Sequence, residues 1–372
     1  MTPIQTRQDA SILLNLIPEI GPLRHRNLHA HFSDLRGVFD CTLTQLKEVD
    51  GISDVLSRAI VSAGHDLAKL EQEKALAKEH GIDIITFHDD TYPAMLRALP
   101  DAPPVIYARG NIALTNDCCV ALVGSRRPTF YGEKVAAQLS KDLSALGIVT
   151  VSGLARGIDT VVHHSTLQVK GGTIAVMGSG ILKMYPPENK KLAEQIAEHG
   201  LILSEFPLHF PPDAGNFPRR NRLISGLSLG TVVVEAAEKS GALITAKYAL
   251  EQGKDVFAVP GTITSRMSDG PNILIQNGAK LVRNVKDILE EIEPLKDLVA
   301  RLVSGNARKP APAPVLEGFE QNLFDLIPGE PIHIDTISTK SSLPTGTVSQ
   351  ALLGLEMKGL IRAVPGNRYA RN

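Results

Sequence analysis

The chain has 372 residues, 43% of them hydrophobic, only 4% aromatic and none tryptophan, with 39 Lys+Arg against 40 Asp+Glu. That length allows two or three domains with a sizeable core, and the near-zero net charge excludes a globally basic protein, so any polyanion site must be local. Three cysteines, two of them adjacent (Cys118 and Cys119), exclude a disulfide framework and a zinc cluster and fit a reducing cytoplasm, and neither a secretory leader nor an apolar run near the roughly 20 residues of a membrane span is visible.

Residues 1–85 read as short helices. ASILLNLI has helical periodicity and leads through PEIGP into LRHRNLHAHF, and TLTQLKEVDGISDVLSRAIVSA repeats the plan of helix, glycine-containing turn, helix. The two units resemble a pair of helix-hairpin-helix (SAM-like) elements, which hold nucleic-acid phosphates on backbone N–H groups. The turns here read EIGP and DGIS rather than Gly-apolar-Gly, and residues 1–110 carry 15 acidic against 11 basic side chains. A helical packing or protein-contact module is therefore the preferred reading.

From about residue 104 short apolar runs alternate with amphipathic stretches. CCVALVG, GIVTVSG, GTIAVMG, GLILSEF, GTVVVEA and DVFAVPG are rich in Val and Ile, lack strict alternation and are bounded by Gly or Pro, which predicts central parallel strands. Between them GEKVAAQLSKDLSALG and NKKLAEQIAEHG carry apolar positions at i, i+3, i+4 and i+7. Six such repeats over residues 104–290 predict a doubly wound, mostly parallel, Rossmann-like α/β sheet. Residues 304–318 form a Pro/Ala linker. Residues 319–372 then predict a winged helix: three helices, the third opening at Pro344, and two strands around Pro365-Gly366. That third helix carries only Lys358 near its end, so groove reading and protein binding stay equally open.

In an open parallel sheet the ligand site lies outside the C-terminal ends of the strands. There the chain places Gly124-Ser125-Arg126, then SGLARG, GSG, Glu205, Glu235 and, after a longer insertion, NFPRRNR at 216–222. Neither a G-x-G-x-x-G nor a Walker A sequence occurs, so a dinucleotide cofactor and P-loop hydrolysis are not expected. Arg126 is expected at a strand–helix turn beside free N–H groups, where its planar donors suit a phosphate. Pro218 is expected to open a helix on which Arg219 and Arg222, three apart, share a face while Arg220 points elsewhere. Phe217 is left to stack on a base, and an aromatic with arginines in a groove is the pattern of single-strand binding. The competing reading pairs these arginines with Glu205 and Glu235 as braces of the sheet ends. Catalysis has thinner support. His163, four residues after Asp159, could be oriented by it, and Glu235 could serve as an acid or simply hold backbone N–H groups. No nucleophile or metal set stands out.

GSRRPTFYG, SGLARGID, TIAVMGSG with YPPEN, SEFP, FPRRNRLISGLS, SGALITA, VFAVPG and GPNILIQNGA occur in an order and spacing that resemble the DNA-processing protein A (DprA/Smf) family. The resemblance covers about residues 104–290 and, more loosely, the three-part layout. It implies a non-enzymatic, cytoplasmic homodimer without cofactor or metal. Such proteins bind and protect incoming single-stranded DNA and load the RecA recombinase during natural transformation. The implied DNA contacts are Gly124, Ser125, Arg126, Phe217, Pro218, Arg219, Arg220, Asn221, Arg222, Ser240 and Gly241. Leu182, His209 and Ala242 depart from the family's usual Asp, Gly and Ser, and only the third lies where it could weaken hydrogen bonding near the site. GTVVVE also distantly resembles nucleotide phosphoribohydrolases, but SLGT stands where those have Pro-Gly-Gly. An enzyme on the same sheet is the alternative expectation.

Overall fold

The computed structural model describes residues 4–305, 319–328, 332–341, 343–357, 360–364 and 366–371. Two units are distinguished, residues 1–300 and 301–372.

The first unit opens with the expected pair of hairpins. Helices Arg7–Asn15 and Pro22–His31 form one, and Leu43–Lys47 and Asp54–His65 the other. Thr6, Thr42 and Ser53 cap three of these helices through their hydroxyls, each accepting from a first-turn amide. The two hairpins are tied together by Arg24, which donates to the carbonyls of Glu19 and Gly51. Their apolar faces are not a separate core. Ile12, Leu13, Leu28, Leu46 and Ile60 belong to one buried cluster with Val105, Tyr107, Ala175, Met177 and Ile202 of the sheet. The expected module boundary at residue 85 falls within strand Asp83–Thr86, and the helices before it pack on the sheet that follows. The buried Glu73, on helix Ala68–Glu79, adds a polar tie by accepting from the Leu208 amide at 2.7 Å.

Nine strands make one sheet: β1 (Asp83–Thr86), β2 (Val105–Gly110), β3 (Cys119–Val123), β4 (Val149–Ser152), β5 (Thr173–Met177), β6 (Leu201–Ser204), β7 (Gly230–Val233), β8 (Asp255–Ala258) and β9 (Lys280–Leu281). Their order is β1-β2-β6-β5-β4-β3-β7-β8-β9. From β6 to β9 all pairs are parallel, whereas β1 and β2 join antiparallel. The six predicted runs are β3 to β8, and β1, β2 and β9 are additions at the two edges. β3, β4, β5, β6 and β7 are buried along their whole length because helices cover both faces. The chain winds from β3 to β6 in one direction, then returns to place β7 on the other side of β3. The switch point between β3 and β7 is where such a sheet opens a crevice.

The second unit has helices Phe319–Leu326, Ile334–Ser341 and Thr345–Met357 around Leu323, Ile327, Ile337, Val348, Leu352 and Leu355. A small antiparallel sheet follows, ordered β10 (Ile332–His333), β12 (Arg368–Arg371), β11 (Ile361–Val364). This is a winged helix with one strand more than expected. Lys358, Pro365 and residues 306–318 of the expected linker lie outside the described residues.

Candidate nucleic-acid interface

A cleft of about 730 Å³ opens at the switch point. Of the eleven residues singled out, nine line it: Gly124, Ser125 and Arg126 after β3; Phe217, Pro218, Arg220 and Asn221 on helix Asn216–Gly226; and Ser240 and Gly241 at the start of helix Gly241–Glu251. Arg219 and Arg222 do not.

The turn after β3 is tied down internally. The Arg127 amide donates to Ser125 Oγ at 3.0 Å, and the Ser125 carbonyl accepts from the Ile158 amide at 3.1 Å. Helix Phe130–Ala145 then starts against Glu235, from the end of β7. Its Oε2 accepts from the Thr129 amide at 2.8 Å and its Oε1 from the Thr129 hydroxyl at 2.6 Å. The cradle expected beside Arg126 is met only in part, for Ser125 Oγ takes the Arg127 amide and Glu235 the Thr129 amide at the N-cap, where the carboxylate answers the positive end of the helix dipole. The turn after β4 repeats the device, for Asp159 Oδ2 accepts from the Gly153 and Ala155 amides, each at 3.2 Å. Burial pushes the Asp159 carboxyl up, opposed by the nearby Arg220 charge and these amides. After β4, amides that a nucleotide fold leaves to its ligand are thus held by the protein's own carboxylate. Side-chain cations also face the cleft.

Those cations sit around an aromatic ring. Phe217 packs against the end of β5, where a Cβ on Gly178 would stand 2.7 Å from its ring, so only glycine lets the ring lie there. The exposed Arg126 guanidinium stands 5.4 Å from the Phe217 centroid. Lys239, exposed at the rim, also lines the cleft, whereas sequence reasoning passed over it because an isolated lysine in a polar loop carries no pattern. Arg220 forms the floor. Its Nη1 donates to the carbonyls of Gly153 (2.6 Å) and Val176, and its Nε to Asn221 Oδ1 at 3.1 Å. Burial pushes the Arg220 guanidinium down to about 10, with Asp159 opposing that shift. It remains charged at neutral pH, a fixed cation beneath the cleft. Asn221 in turn donates to the Gly241 carbonyl at 3.1 Å and so joins two walls.

Arg219 and Arg222 do share a helix face, as their spacing requires, but that face meets an acid. Arg222 Nη2 lies 2.5 Å and Arg219 Nη2 3.2 Å from Glu205 Oε2. Arg222 also contacts Asp101, at 3.3 Å through Nε and 2.8 Å through the carbonyl. Both thus take up the bracing arrangement with Glu205, at the end of β6, while the Arg219 side chain stays half-exposed. His163 pairs through Nδ1 with Thr173 Oγ1 at 2.8 Å, not with Asp159, and burial, with Arg220 adding, pushes it down to about 3. Among the described residues, no group of three or more His, Cys, Asp or Glu is placed to hold a metal, and no helix is long and apolar enough to cross a membrane.

The sequence matches the family model for DNA recombination-mediator protein A over residues 83–293 and that for the DprA winged helix domain over residues 307–367. Protein Smf of Synechocystis is 36% identical over 384 aligned positions, covering 95% of this chain and 96% of that one. DprA of Bacillus subtilis is 44% identical over 225 positions, 60% of this chain and 76% of its own. Among solved structures, DprA of Streptococcus pneumoniae superposes with a TM-score of 0.68 at 35% identity, covering 77% of this chain and 98% of its own. DprA of Helicobacter pylori, described with its single-stranded DNA binding mode, gives 0.52 at 31% identity, covering 59% and 96%.

Proposed function

Since the chain belongs to the DNA recombination-mediator protein A (DprA/Smf) family, we propose that its cleft binds single-stranded DNA without regard to sequence and without catalysing a reaction. The observation that carries this reading is the pairing of the exposed Arg126 with the Phe217 ring on the wall of the cleft at the switch point. Such a site offers a stacking face and side-chain cations to a strand. Protection of incoming DNA and its transfer to RecA during natural transformation, in the cytoplasm, enter through the family resemblance. So does action as a homodimer, to which Ile273 (40% exposed) and Leu281 (37% exposed), on and beside the short edge strand β9, add a physical motive.

Two substitutions separate charge from stacking. Arg126→Ala should weaken binding to every single strand alike and lower the magnitude of the log–log salt slope by roughly 0.7, one phosphate contact. Phe217→Ala should cost roughly 1–3 kcal/mol of affinity while leaving that slope in place. Fluorescence anisotropy over a salt series measures both, and unchanged affinity in both variants would defeat the reading. Release of free base from nucleoside monophosphates by the purified chain would favour the hydrolase alternative instead. For the dimer, light scattering at micromolar concentration should give about 80 kDa, twice the 40.0 kDa chain. A monomer at every concentration would remove that part.

A further inference from the structure

Beyond the residues already assigned, the turn after β4 and the loop after β5 bring a second cation and a second ring to the mouth of the cleft. Tyr185 stands 5.6 Å from Phe217, centroid to centroid, with the rings inclined at 45°. The Arg156 guanidinium stands 5.7 Å from the Tyr185 centroid. Arg126, Phe217, Tyr185 and Arg156 thus alternate cation, ring, ring, cation, and all four line one small recess, while Tyr185 also faces the main cleft. Arg156 differs from Arg126 in one respect. Its Nε donates to Glu188 Oε1, and both side chains are half exposed. The partners are held together by the backbone beneath them. Asn189, next to Glu188, donates to the Leu154 carbonyl and to Thr160 Oγ1, each at 2.9 Å, and so fastens the loop to the turn that carries Arg156.

We infer that Arg156 and Tyr185 form a second nucleotide subsite of the strand path, and that Glu188 is its resident counter-ion, displaced when a strand phosphate takes Arg156. The inference rests on the cleft being a single-strand site. A carboxylate and a phosphate compete for the same planar donors. An exposed ion pair contributes little, so a phosphate already tethered through Phe217 and Arg126 can replace it. Glu188 then tunes affinity by competition alone, without blocking the path.

The test is a double-mutant cycle on the full chain, using labelled oligothymidylates of increasing length. Glu188→Gln should bind roughly two- to five-fold more tightly, the reciprocal of a surface ion pair's worth. Arg156→Ala should bind more weakly with the salt slope reduced by roughly 0.7, and Tyr185→Ala more weakly with the slope kept. In the Arg156→Ala background Glu188→Gln should have no effect, and the two losses should appear only with oligomers long enough to reach past Phe217. Thermal unfolding should match the parent throughout, since the pair is on the surface. Equal tightening by Glu188→Gln with and without Arg156 would reduce Glu188 to a repelling charge and overturn the inference. So would parental affinity in Glu188→Gln. If Arg126→Ala weakens binding while the Arg156, Tyr185 and Glu188 variants all behave as the parent, this subsite falls and the cleft stands. If Arg126→Ala is also silent, the cleft itself is misassigned.

Discussion

Arg222→Ala will destabilise the first unit by about 3–5 kcal/mol, the range for breaking a buried ion pair from one side. The side chains of Arg222 and Glu205 are only 4% and 1% exposed, and the variant leaves the Glu205 carboxylate in the interior with only the half-exposed Arg219 beside it. Glu205 Oε1 already lacks a hydrogen-bond partner, so nothing is in reserve. The urea midpoint should fall with an unchanged slope. The folded fraction should bind single strands with the parent's salt dependence, because Arg222 is not on the cleft wall. Adding Glu205→Gln to Arg222→Met should recover most of the loss, since no uncompensated charge then remains. A stable Arg222→Ala with a reduced salt slope would place this arginine on the DNA, as its sequence context first suggested.

Gly157→Ala is expected to act on the site itself. Gly157 holds φ 74°, ψ −126°, a conformation open to glycine and strained for alanine by about 1–3 kcal/mol. Space is the larger obstacle. A Cβ there would stand 2.3 Å from the Ser125 carbonyl oxygen and 2.7 Å from the Arg126 carbonyl carbon. Both atoms are backbone, so the Ser125–Arg126 turn must move, carrying Arg126 off Phe217. Single-strand affinity should drop roughly tenfold, the equivalent of about 1.4 kcal/mol, together with a lower melting temperature. Parental affinity in this variant would show that the turn does not position the cleft's cation.

How much of this was legible beforehand depends on the range of the interaction involved. β3 to β8 were readable because a strand covered on both faces must be apolar throughout, and Val and Ile runs between glycines say so. β2 escaped because VIYARG follows a Pro-rich segment and pairs antiparallel at the side of the sheet, where no crossover helix announces it. β9 has two residues and no pattern to read. The helix spacing placed Arg219 and Arg222 on one face, but which face meets the cleft is decided by Glu205 on a distant strand and by Asp101. Arg156 and Tyr185 were visible only as parts of separate motifs, since their meeting requires β4 and β5 to lie side by side. Glu235, offered as an acid or as a holder of the next helix's amides, instead caps the earlier helix Phe130–Ala145 through Thr129, a partner more than a hundred residues away that no local pattern announces.

The Asp159 carboxylate also bears on selectivity among ligands of one chemistry. DNA-binding clefts work amid a large excess of free mononucleotides, and a turn with open amides grips a single phosphate well enough to be occupied by them. Under the proposed function, Asp159 closes part of the turn after β4 to a single phosphate, and binding energy spread over successive rings and charges favours the polymer. On that reading the same turn acts as a filter for chain length.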